Sequence, residues 1–207
     1  MSFMSGGLIK KISTATASLL AMILFSPAIG AQTSSSDRPA HWAEPVPLEG
    51  VPNFHRVSTG LYRAAQPSAE GMRNLKARGI VTIVNLRSFH SDRGLIKETG
   101  LAYEHIHMKA WHPEEEDAVR FLQIVTNHGQ TPVLVHCQHG ADRTGTMSAL
   151  YRVAIQGWTK EEALKEMAEG GFGFHGIWQE LVWWIDALNL ERIKGKAGIK
   201  PGIKPPG

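Results

Sequence analysis

Two short apolar runs set the tightest limit on the fold: Ile80–Leu86 (IVTIVNL) and residues 132–135 (PVLV). Neither alternates polar with apolar positions. Runs of this length, rich in β-branched residues, form strands covered on both faces, and such strands belong to parallel sheets flanked by helices. The segments between them have helical character. Ser68 caps a helix running to Ala77, with Glu70 in its first turn and Gly79 to end it. Glu114–Asn127 repeats apolar residues at helical spacing (Val119, Leu122, then Val125 or Thr126), with acids in the first turn. Arg143–Gln156 reads as a helix ended by Gly157. Thr159 and Glu162 form a capping box for a helix to Glu169, and Ile177–Leu190 is a last amphipathic helix. A hairpin around Gly60, a short helix over Asp92–Thr99 and a strand over Leu101–Met108 complete the reading. Alternating strands and helices predict an α/β domain with a mainly parallel central sheet and helices on both faces. Ligands in such sheets bind beyond the carboxyl ends of the strands.

The ends of the chain differ from its centre. Lys10 and Lys11 precede the apolar stretch Ile12–Ile29, and small residues follow at Ala28, Gly30 and Ala31. This predicts a signal peptide over residues 1–31 and an exported protein, periplasmic or secreted. An uncleaved membrane anchor is the lesser alternative, because the apolar part is short and diluted by Ser and Thr. No stable membrane span is expected after cleavage. Residues 32–52 are rich in Ser, Pro and Ala and read as a linker. The folded domain is expected over residues 53–191. Residues 192–207 are basic and full of Gly and Pro, a composition of disorder. A formal net charge of +3, without a dense basic patch, gives no case for nucleic acid.

The chain has a single cysteine, Cys137, in the segment His136-Cys137-Gln138-His139-Gly140-Ala141-Asp142-Arg143-Thr144-Gly145. This segment joins the second apolar run to a helix, and every part of it suits an anion. Backbone N–H groups in a tight turn make an anion-binding nest, and the helix adds its positive end. Gly140 permits the turn. Arg143 can grip two oxygens with its planar fork. The same field favours a Cys137 thiolate, which makes Cys137 a nucleophile and a phosphocysteine the expected intermediate. Residues 138–143 (Gln138, His139, Gly140, Ala141, Asp142 and Arg143) would hold the phosphoryl group. Thr144 could donate its hydroxyl to the sulfur, and His136 could fix the loop. The protein supplies the positive charge itself, so no metal and no cofactor is expected. His105 and His107 on one strand, with His112 nearby, are not enough to predict a metal site. Arg87, at a strand end, is expected to pair with an acid, with lining the pocket as the alternative.

HCxxGxxR[ST]G resembles the signature of the protein tyrosine phosphatase superfamily. LYRAAQPS, GIVTIVNLR and ALYRVAIQGW extend the similarity to the small bacterial dual-specificity phosphatases of the exported TpbA-like type, over about residues 54–190. The resemblance implies the cysteine-phosphatase (phosphotyrosine phosphatase II-like) fold, Cys137 as nucleophile and Arg143 as phosphate ligand. It also implies an acid on a mobile loop, often after Trp-Pro. The matching stretch, Trp111-His112-Pro113-Glu114-Glu115-Glu116-Asp117, has no Asp at that step. Glu114 is the first candidate acid, with Glu115, Glu116 and Asp117 as alternatives and His112 as a weaker one. Asp142 is a separate candidate, because myotubularin-like lipid phosphatases carry an Asp at the equivalent loop position, although bracing the loop by hydrogen bonding is its favoured role.

The expected substrate is phosphotyrosine in proteins, with phosphoserine and phosphothreonine admitted by a shallow pocket. His139 and Asp142 motivate a second reading, a phosphatase for phosphoinositides or inositol phosphates. A phosphate-binding module without turnover is a third. A Cys–His peptidase gives Arg143 no role.

Overall fold

The computed structural model describes residues 38–200; the expected signal peptide and residues 201–207 lie outside them. Six strands form one sheet in the order β1-β2-β3-β6-β4-β5. β1 (Glu44–Pro45), β2 (His55–Arg56) and β3 (Leu61–Ala64) pair antiparallel. β3, β6 (Val133–His136), β4 (Thr82–Asn85) and β5 (Ala102–His105) pair parallel. The sheet is therefore mixed, parallel through its buried centre and antiparallel at one side. All four residues of both β4 and β6 are buried, as the unbroken apolar runs require.

Helices cover both faces. Met72 and Leu75 of α1 (Ala69–Ala77) and Ile96 of α2 (Arg93–Ile96) pack with Ala64, Ile83 and Leu134. On the other face, α3 (Glu115–Val125), α4 (Asp142–Ala154) and α6 (Gln179–Ala187) pack against Leu61, Val84, Val133 and Val135. Strand residues alternate between the two cores, as the two-residue period dictates. Local chemistry sets the helix starts. Ser68 Oγ accepts from Gly71 N–H at 3.0 Å, and Thr159 caps α5 (Lys160–Glu169) in a reciprocal box with Glu162.

Two expectations are corrected. Residues 38–52, read as linker, belong to the fold. They supply β1, Ala43 and Val51 are buried, and the Ala43 N–H donates to Glu166 Oε1 at 2.6 Å. Arg38 reaches the carbonyls of Ala43 and Gly170 and stacks on Phe172. Long-range partners hold this segment, so it carries no periodic signal of its own. The start of the tail is also ordered. Leu190–Lys196 forms α7, capped by Asn189, with Ile193 fully buried. Its Arg192 and Lys196 pair with Glu115 of α3. A helix of seven residues is marginal alone and exists here because it docks.

Candidate active site

β6 ends at His136 and α4 begins at Asp142, so Cys137–Ala141 forms a five-residue loop at the carboxyl end of a central strand. Cys137, Gly140 and Ala141 are buried, while Gln138 and His139 are exposed. The turn requires Gly140. Its φ is +69°, and a Cβ there would lie 2.5 Å from the backbone of Ala64 and Ala65.

The loop rests on two buried polar supports. His136 Nε2 lies 2.8 Å from Asp92 Oδ2 with neither side chain exposed, and His136 Nδ1 lies 3.3 Å from the Cys137 carbonyl. Burial pushes the Asp92 carboxyl up, but its bonds to His136 and Gln66 and the nearby imidazole charge outweigh this and hold it below the usual range. The second support is Arg63 of β3. Its Nη2 donates to the Gly140 carbonyl at 2.8 Å, and its guanidinium lies 3.6 Å from the centre of the Phe172 ring. Burial lowers the Arg63 guanidinium to about 10, and the charges of Glu166 and Cys137 act against that loss. Arg63 therefore stays cationic at neutral pH, beneath the nucleophile.

Arg143, in the first turn of α4, donates through Nη1 to the carbonyls of Leu86 (3.3 Å) and Met108 (3.5 Å). It lines a cleft of about 270 Å³ with Gln138, Arg87, Ser88, Phe89, His90 and Trp111. Thr144 Oγ1 is buried with no hydrogen-bond partner, placing an uncommitted hydroxyl at the base of α4. A buried thiol in the loop between β6 and α4, amide donors at the start of that helix and an arginine in its first turn can accept a phosphoryl group and stabilise its equatorial charge.

A family profile described as "DSP-PTPase phosphatase fused to NAD+ Kinase" matches residues 48–182. The chain belongs to the dual-specificity and tyrosine phosphatase family. It is 34% identical over 175 residues to the dual specificity protein phosphatase TpbA of Pseudomonas aeruginosa, covering 84% of this chain and 78% of that protein. A crystal structure of a Cys-to-Ser variant of P. aeruginosa TpbA, in complex with phosphotyrosine, superposes with a TM-score of 0.69 at 27% identity, covering 80% and 99% of the two chains. The catalytic core of the PP-IP phosphatase Siw14 of Saccharomyces cerevisiae, in complex with citrate, gives 0.61 at 25% identity over 75% and 97%. Family membership and the mixed, helix-flanked sheet agree with the resemblance read from the loop.

The structure brings together some of the expected site residues and separates others. Gln138 and Arg143 meet at the cleft, and the buried Cys137 adjoins Gln138 in the loop. His136 sits below the loop as a support. Asp142 is not aimed at the cleft as an acid. Its carboxylate accepts from the His175 N–H at 2.9 Å and faces His175 Nδ1 at 2.9 Å. Of the run at 111–117, Trp111 lines the cleft and no acid does. Glu114 faces Lys109 at 3.6 Å and His112 at 3.9 Å, and it shares a reciprocal cap on α3 with Asp117. Burial and the neighbouring Glu114 and Glu116 charges raise the Asp117 carboxyl, though its bond to the Glu114 N–H opposes them. Glu115 is taken up by α7. Arg87 bonds Gln66 Oε1 at 2.9 Å rather than an acid.

The cleft wall Arg87–His90 was not read as a unit from the sequence. β4 lies beside β6, with Asn85 opposite His136, so the residues after β4 stand next to the residues after β6. Only that strand order reveals the wall. His105 and His107 take a structural place. Their rings stack at 3.8 Å and reach the Arg87 and Ser88 carbonyls at 2.6 and 2.9 Å, bracing the wall from behind.

Proposed function

We propose that this protein is an exported phosphatase that hydrolyses phosphotyrosine in proteins through a phosphocysteine, with phosphoserine and phosphothreonine as further substrates. One observation carries the reading. The cleft lined by Arg143 and by Gln138, the neighbour of Cys137, is also lined by two exposed aromatic side chains, Phe89 (91% exposed) and Trp111 (57%). Exposed aromatics beside an anion site favour a phosphate ester with an aromatic ring. The thiolate attacks phosphorus, the S–P bond forms as the ester P–O bond breaks, and the departing oxygen takes a proton. Water then attacks the phosphocysteine, which releases phosphate and restores the thiolate. Loop N–H groups and Arg143 hold the three equatorial oxygens throughout.

Proton delivery is assigned to His90. It is on the cleft wall, and its Nε2 lies 3.5 Å from Asp92 Oδ1, which orients the ring. Export rests on residues 1–31. No helix of the described residues is long and apolar enough to cross a membrane.

A second reading is hydrolysis of inositol phosphates. Arg87, Arg143 and His90 give the cleft several donors for a polyanion, and the relatives include a yeast inositol diphosphatase, 25% identical over 157 residues. Turnover by residues 32–207 on phosphotyrosine, phosphoserine and phosphothreonine peptides, inositol phosphates and phosphoinositides decides between them, with Cys137→Ser as control. Preference for phosphotyrosine peptides, lost in Phe89→Ala with Trp111→Ala, is the expected result. Preference for inositol phosphates establishes the second reading. No phosphate release by wild type, with phosphate still bound, refutes both and leaves a phosphate-binding module.

A further inference from the structure

Beyond Cys137 and Arg143, the phosphate loop carries a second convergent group of ligand atoms. His139, Asp142 and His175 each offer one donor atom, all within 4.8 Å of one another. The His139 and His175 rings lie 5.4 Å apart. The His175 side chain is 47% exposed and that of Asp142 10%, so the cluster is reached from solvent yet anchored at one corner.

The arrangement is preset by the backbone. Asn53 has φ +53°, a conformation Asn tolerates, and its Nδ2 donates to the His139 carbonyl at 3.0 Å and the Phe172 carbonyl at 2.9 Å. This pins the loop to the turn that carries His175. Arg63 repeats the connection from below, between the Gly140 carbonyl and the Phe172 ring. Two segments distant in sequence therefore present three donors to one point, with little ordering left to do.

Two imidazoles and one carboxylate form a donor set for a borderline divalent ion, and three protein ligands leave one tetrahedral position for water or a phosphoryl oxygen. Bonds of about 2.0–2.2 Å place tetrahedral donors about 3.2–3.6 Å apart. Asp142 and His175 are already in direct contact, and rotation of the exposed His139 ring closes the remainder.

We propose that His139, Asp142 and His175 bind one Zn2+-class ion at the rim of the catalytic loop. His175 coordinates through Nδ1 as a neutral imidazole whose proton sits on Nε2, and Asp142 coordinates as the carboxylate. Metal binding is measured directly, without a turnover assay.

The test titrates Co2+ into the Cys137→Ser protein, follows the visible bands of tetrahedral Co2+, and then displaces it with Zn2+. Removing the thiolate first ensures that the nucleophile cannot be the ligand seen. One ion per chain is expected, with a rise in Tm on adding Zn2+. In the same background, His139→Ala and His175→Ala each weaken binding by about 10- to 100-fold, as loss of metal-site groups does. Both side chains are exposed, so neither change threatens the fold. Absence of saturable binding in Cys137→Ser overturns the proposal, and so does binding undiminished from the Cys137→Ser parent in either His variant.

Discussion

Arg63 holds a positive charge where water does not reach, and its Nε has no hydrogen-bond partner. A buried charge is costly unless other charges answer it. Glu166 does so here, and the bond from Arg63 to the Gly140 carbonyl makes Arg63 a positioning residue for the loop that carries the nucleophile. Arg63→Ala is expected to lower kcat by about 100-fold, the scale of losing one preorganised donor. It should also slow alkylation of Cys137 by iodoacetamide at neutral pH, with Arg63→Lys restoring part of both. Unchanged alkylation would assign Arg63 to packing alone. A second residue-scale prediction concerns the proton donor. His90→Ala should reduce turnover of esters with poor leaving groups by about 100-fold or more, and spare good leaving groups. If Glu114→Gln shows that split instead, the role belongs to the loop at 111–117.

At the scale of elements, α4 and α5 are clamped by one buried ion pair. Arg152 Nε and Nη2 meet the Glu166 carboxylate at 2.7 and 2.6 Å, and Glu166 also receives the Ala43 N–H. Removing one member leaves its partner charged and unpaired, so Glu166→Ala should cost about 3–5 kcal/mol in denaturant unfolding. A loss below about 1 kcal/mol would show that water enters and screens Arg152. None of this clamp was legible in the sequence, because it joins residues from three separate segments. What was legible had a local cause. β4 and β6 declare themselves by burial on both faces, α1 and α5 by their caps, and Cys137 with Arg143 by the spacing of a single loop. The residues missed, Ser88–His90 and residues 38–52, owe their places to neighbouring strands and distant partners. α7 was missed because a basic, glycine-containing composition hides a helix that docking alone stabilises.

The molecule as a whole should respond to acid in a defined direction. Burial lowers His55 and His105, with neighbouring positive charge adding to the effect, although backbone bonds oppose it. Their folded values lie below the unfolded value of about 6.5, so the unfolded chain binds more protons in that window. Stability is then full above about pH 6.5 and falls as pH drops through the lower folded values. Asp92 adds a loss of the same sign below the ordinary carboxylate range, while Asp117, shifted up, opposes it. Tm should therefore rise between about pH 5 and pH 7, and His105→Gln should flatten part of that slope. A Tm that falls over this range would contradict the assignment. The outermost strand has a separate consequence. β1 is two residues long, and one of them is Pro45, which has no N–H to offer. Such a margin gives an incoming chain almost nothing to hydrogen-bond, so growth of the sheet into fibrils by stacking on this border is blocked by covalent structure rather than by charge.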